Sequence, residues 1–117
     1  MSTAFLTDRY ELTMLAASLR DGTAHRPSVF ELFSRRLSGG RRFGVVAGTG
    51  RLLTLLREFR FGDDELRYLQ DNGVVDAEAL RYLERYRFTG SIRGYREGEL
   101  YFPGSPILTV EGTFADA

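Results

Sequence analysis

Four arginines crowd one short stretch of the chain: Arg35, Arg36, Arg41 and Arg42. A guanidinium is planar, always charged, and presents a fork of donors that matches two oxygens of a phosphate or carboxylate. Such a cluster is a candidate anion site. A charge run also has a plainer meaning, a solvated basic hairpin end. Upstream, Tyr10 stands in the run Thr-Asp-Arg-Tyr. Its face of the helical pattern need not point into the core, which leaves it free for a different surface. Downstream, Gly48-x-Gly50 precedes a helical pattern and could turn backbone N–H groups toward an anion. It lacks the third glycine of a dinucleotide loop and the lysine of a P-loop, so a glycine helix start explains it as well.

Other chemistries are narrowed by composition. The sequence of 117 residues has no Cys, which removes disulfides, thiolate catalysis and cysteine metal sites. One histidine, His25, makes no multi-histidine metal centre, although carboxylates can still bind a hard cation. Sixteen basic residues, all arginine, balance sixteen acidic ones, so charge gives no argument for nucleic acid or an anionic membrane as partner. No apolar run approaches the roughly 20 residues of a membrane span, and no signal-peptide pattern precedes Thr7. The expectation is a soluble, cytoplasmic domain.

The elements that must position these residues follow from periodicity. A helix is expected over 8–21, capped by Thr7 or Asp8 with Glu11 in capping-box position, Leu12, Leu15 and Leu19 inward, and Gly22 as its stop. Tyr10, Met14 and Ala17 fall on a neighbouring face, which leaves Tyr10 exposed. Residues 29–33 (VFELF) and 42–46 (RFGVV) read as strands, with Ser38-Gly39-Gly40 supplying the positive φ of a tight connection. A helix with Leu52, Leu53, Leu55, Leu56 and Phe59 on one broad face follows Gly50. Asp63 and Asp76 read as N-caps of two more helices, split by Asn72-Gly73, with Leu66, Leu69, Leu80, Leu83 and Tyr86 inward. Past Gly90 the pattern becomes β, with strands over 92–95, 100–102 and 107–110. The fold class is α+β, a mostly antiparallel sheet packed with helices. Residues 107–114, apolar on both faces with no helix after them, are expected to expose hydrophobic surface or self-associate.

Four blocks carry a resemblance: LTDRYELTM (6–14), FELFSRR (30–36), VVAGTGRLL (45–53) and EGELYFPGSPILTVEG (97–112). In this order and spacing they resemble the amino-terminal domain of nicotinate phosphoribosyltransferase, across nearly the whole chain. The resemblance implies NAD salvage: nicotinate and phosphoribosyl pyrophosphate give nicotinate mononucleotide and pyrophosphate, coupled to ATP hydrolysis with Mg²⁺. It also implies a homodimer in which this domain packs over the partner's barrel. Tyr10 then stacks on the pyridine ring across the interface. Arg36, by alignment with the nicotinamide enzyme, faces phosphate oxygens, with Arg35 the second choice. The phosphoribosyl-binding barrel and its phosphorylated histidine have no counterpart here, and His25 lies outside every matching block. The chain therefore reads as an amino-terminal fragment, inactive alone, with no catalytic residue and no bound ATP or metal of its own. A non-catalytic binding or dimerisation module is the alternative, and a nicotinamide-specific relative a further one.

Overall fold

The computed structural model describes residues 3–117. Helix α1 spans Arg9–Asp21, strand β1 Pro27–Leu32, strand β2 Gly44–Val45 and helix α2 Thr49–Glu58. Helices α3 (Asp63–Asp71) and α4 (Ala77–Arg85) follow, then strands β3 (Ser91–Gly94), β4 (Leu100–Tyr101) and β5 (Leu108–Thr113). Every strand pair is antiparallel, in agreement with the α+β expectation.

Local chemistry explains the helix ends. Asp8 is the N-cap of α1, and the Glu11 carboxylate reaches back to accept from the Asp8 N–H at 3.2 Å, which satisfies a donor the helix itself cannot. Asp76 caps α4 by accepting from the Ala79 N–H at 2.9 Å. Asp63 is not a cap: α3 begins on it, Gly62 is the N-cap, and Glu65 accepts the Gly62 N–H at 2.9 Å. Asp63 and Asp64 instead place negative charge in the first turn, which the helix dipole favours.

The helical core joins α1, α3 and α4. Leu12, Phe61, Leu69 and Leu83 are buried together, with Leu15, Leu66, Leu80 and Tyr82 packed around them. Met14 and Tyr10 stay exposed on the neighbouring face of α1, as the one-sided leucine stripe requires.

Two expectations about the β part are corrected. The strands form two sheets, one of order β1-β5-β3 and a separate pair β2-β4. So β1 and β2 do not make a hairpin, and residues 33–43 bridge between sheets. Gly39 and Gly40 do take positive φ, 67° and 70°, and turn the chain within this bridge. The second correction concerns residues 107–114. They are not an uncovered end, because β5 is the central strand, paired with β1 from Pro27↔Thr113 to Leu32↔Leu108 and with β3 on its other side. The uncovered apolar surface lies elsewhere. Strand β1 exposes Val29, Phe30 and Leu32, and α2 exposes Leu52 and Leu53 and buries none of its residues.

The chain is open for its size. Its radius of gyration is 16.2 Å, against about 13 Å for a compact domain of this length. Its accessible surface is 8401 Å², roughly 1,900 Å² above the usual value for this mass.

Candidate functional site

Tyr10 sits in the first turn of α1, oriented by the Asp8–Glu11 cap beneath it. The ring is 59% exposed, so the chain's own core does not claim it. It lines the rim of a groove of about 430 Å³ between α1, α4 and β1. The groove is aromatic, with Phe30, Phe59, Tyr82 and Tyr86 also lining it. Phe59 meets Phe61 and Tyr86 edge-on, with ring centroids 5.6 and 5.8 Å apart, a geometry in which ring edges face π-clouds.

Asp116, which also lines this groove, gathers three hydroxyls. The Tyr82 hydroxyl donates to Asp116 Oδ1 at 3.1 Å, the Thr89 hydroxyl to Oδ2 at 2.7 Å, and the Tyr86 hydroxyl to the Asp116 carbonyl at 3.0 Å. Burial, reinforced by the negative charge of Asp116, pushes the Tyr86 phenol up to about 12 and raises Tyr82 as well. Phenols held protonated in the folded state, but ordinary when unfolded, stabilise the fold fully below the ordinary value of 10.0. That contribution is lost as pH rises through the folded values, because the unfolded chain then releases protons that the folded chain retains. Denaturant midpoints should therefore decline between about pH 10 and 12, and Tyr86→Phe should flatten the decline. An unchanged slope in Tyr86→Phe and Tyr82→Phe would mean that these phenols are not the groups responsible.

The arginines lie apart from this groove. Arg35 and Arg36 are exposed in the bridge after β1, and neither guanidinium has an ion-pair or hydrogen-bond partner among the described residues. Arg41 folds back instead, its Nε donating to the Ser38 carbonyl at 3.2 Å and Nη2 to Ser38 Oγ at 3.0 Å. The groove that Tyr10 lines includes none of the four arginines. The exposed Tyr10 ring and the exposed Arg35 and Arg36 guanidinium forks thus lie on separate parts of the surface. His25 is exposed, its ring 6.3 Å from that of Tyr82.

The Gly48-x-Gly50 helix start has an anion, but an internal one. Glu97 accepts the Gly48 N–H at 3.0 Å, the Gly50 N–H at 2.9 Å and the Thr49 hydroxyl at 3.2 Å. Gly48 adopts φ 96°, which glycine alone reaches without strain. The backbone donors hold the Glu97 carboxyl below its usual range. The sequence marks Glu97 only as part of a Glu-Gly turn, because nothing local pairs it with a helix start 47 residues away.

The described residues contain no group of three or more His, Cys, Asp and Glu able to hold a metal. No helix among them is long and apolar enough to cross a membrane.

Residues 5–117 match the family described as the nicotinate phosphoribosyltransferase N-terminal domain. The chain is 61% identical over 111 residues to nicotinate phosphoribosyltransferase pncB1 of Mycobacterium tuberculosis, covering 95% of this chain and 24% of that protein. It is 37% identical over 111 residues to the Bacillus subtilis nicotinate phosphoribosyltransferase, covering 95% and 23%. The crystal structure of human nicotinic acid phosphoribosyltransferase superposes with a TM-score of 0.83 at 33% identity, over 94% of this chain and 23% of that one. The chain thus spans about a quarter of the length of the relatives it matches.

Proposed function

Because the chain belongs to the nicotinate phosphoribosyltransferase family, over its amino-terminal domain, we propose that it supplies substrate-binding groups to an enzyme of NAD salvage. The reaction joins nicotinate to phosphoribosyl pyrophosphate, with release of pyrophosphate and coupling to ATP hydrolysis. The observation that carries this reading is Tyr10: a ring fixed by a capped helix turn, inside the motif that matches the family, and left open by its own core. In this role Tyr10 stacks on the pyridine ring, and Arg36, with Arg35 as its neighbour, grips phosphate oxygens.

The surplus surface supports a further part of the reading. Roughly 1,900 Å² is more than one partner contributes to a standard interface and suits the large, apolar contacts of obligate assemblies. Val29, Phe30, Leu32, Leu52 and Leu53 supply apolar area for such a contact. We infer a homodimer in which this domain covers the partner's phosphoribosyl-binding barrel, so that Tyr10 acts in trans. The barrel and the groups that neutralise pyrophosphate belong to protein outside these residues. In-line displacement needs those groups in place, so the 117-residue chain is expected to be inactive alone.

Tyr10→Ala in the family-length enzyme tests the assignment. It should raise KM for nicotinate, removing stacking worth roughly 0.5–1.5 kcal/mol plus burial of the ring. Tyr10→Phe should be milder, since it keeps the ring face. Mixing Tyr10→Ala with a variant disabled in the barrel should restore activity in heterodimers. Equal rises in both Michaelis constants, or heterodimers that recover nothing, would refute separate action in trans.

A further inference from the structure

The bridge that carries the four arginines is held at both ends by one segment, residues 97–107. At its near end the Ile107 N–H donates to the Leu32 carbonyl and the Gly104 N–H to the Ser34 carbonyl, both at 2.8 Å. At its far end the Val46 N–H donates to the Glu99 carbonyl at 2.9 Å and the Gly98 N–H to the Val46 carbonyl at 2.8 Å. The Tyr101 ring lies so close over Gly44 that a Cβ there would clash with it. Beyond Val46, the Glu97 carboxylate gathers the donors of Gly48, Thr49 and Gly50.

These ties matter because the far end is otherwise thinly held. The β2–β4 ladder pairs only Gly44↔Tyr101 and Val45↔Leu100, and α2 buries none of its residues against the chain. A two-residue ladder has few hydrogen bonds to resist fraying. The Glu97 carboxylate is the charged group that reaches the start of α2, and charge-assisted bonds to backbone N–H groups are the strong ones. The depressed proton affinity of Glu97 reflects the same donors.

We propose that Glu97 is a positioning residue for the anion-binding arginines. By fixing the start of α2 to the β4 turn, it sets where the bridge re-enters the sheet. The near-end ties hold Arg35 and Arg36, so that re-entry point sets how far Arg42 stands from them and how the loop between is drawn. The ligand it serves is a phosphorylated, pyrophosphate-bearing substrate, so the inference rests on the proposed function of Arg36. Glu97→Gln keeps the length of the side chain. It removes the charge and replaces one of the two oxygens that the Gly48 N–H reaches with an NH₂ donor, so the tie to the helix start weakens.

The test is a double-mutant cycle in the family-length enzyme, read as KM for phosphoribosyl pyrophosphate and for nicotinate. Glu97→Gln should raise the first by about three- to tenfold and leave the second within about twofold, since misplacement remote from the chemistry still acts on binding geometry. In an Arg36→Ala background the same substitution should add no further loss. An equal factor in both backgrounds, or an equal rise in both Michaelis constants, would overturn the proposal and leave Glu97 a purely structural residue. No effect of Arg36→Ala on phosphoribosyl pyrophosphate would instead remove the functional reading of the arginines, whatever Glu97→Gln does. Where Glu97→Gln does not fold, Thr49→Val deletes a single donor to the carboxylate and should give a smaller rise with the same substrate selectivity. Unchanged constants in that variant would also count against the proposal.

Discussion

Arg36→Lys in the family-length enzyme is expected to raise KM for phosphoribosyl pyrophosphate about ten- to a hundredfold. Lysine keeps the positive charge but replaces a rigid fork with a single point of donation. What is lost is one charge-assisted hydrogen bond and the geometry of the pair, on the order of 1.5–3 kcal/mol. The Arg36 guanidinium is exposed and has no ion-pair partner among the described residues, so the effect reports on ligand. The KM for nicotinate should change little. Arg35→Lys should cost less if Arg36 makes the bidentate contact, and the reverse ranking would move the assignment to Arg35. Steady-state kinetics of the two variants with each substrate varied in turn decides between them. If neither lysine variant distinguishes the substrates, the cluster is the solvated basic surface that its composition alone describes.

The parts of this molecule that were legible in the sequence are those decided within a few residues. The Asp8–Glu11 cap, the leucine stripe of α1 and the exposure of Tyr10 all follow from spacings of three or four. The same holds for the Asp76 cap. Asp63 misled because aspartate is favoured both at the cap and in the first turn. Only the reach of Glu65 back to Gly62 shows which applies. Pairing across long separations was not legible. Nothing near Pro27 indicates that it faces Thr113, and the apolar run 107–114 looks like an edge until β1 and β3 are seen on either side of it.

The candidate site divides in the same way. Tyr10 and the arginine pair are visible as residue types, and the roles proposed for them come from the family resemblance. Their separation on the chain is tertiary information: the groove beside Tyr10 contains no arginine. Glu97 is the residue that sequence reading missed, because its partners lie 47 to 49 positions away. A glycine pair at a helix start advertises donors, and it says nothing about which acid fills them.

Leu69→Ala should be the most destabilising single change in the isolated chain. Leu69 is 1% exposed and is the largest fully buried side chain, at the centre of the cluster made with Leu12, Phe61 and Leu83. Truncation removes its packing and leaves a cavity that those neighbours fill only in part, at a cost of about 2–5 kcal/mol. Domain stability is only about 5–15 kcal/mol, and this chain buries less surface than its mass allows, so the loss approaches the whole margin. The urea midpoint should fall by about 1–3 M, or the cooperative transition should disappear. Leu53→Ala is the control. At 43% exposed on the open face of α2, it should shift isolated-chain stability by no more than about 0.5 kcal/mol. In the family-length enzyme the ranking should narrow, because a covered α2 face would make Leu53 a buried residue too. Equal midpoints for Leu69→Ala and Leu53→Ala in the isolated chain would mean that the α1–α3–α4 cluster is not its stabilising core. An unchanged Leu53→Ala in the longer protein would mean that nothing packs on α2.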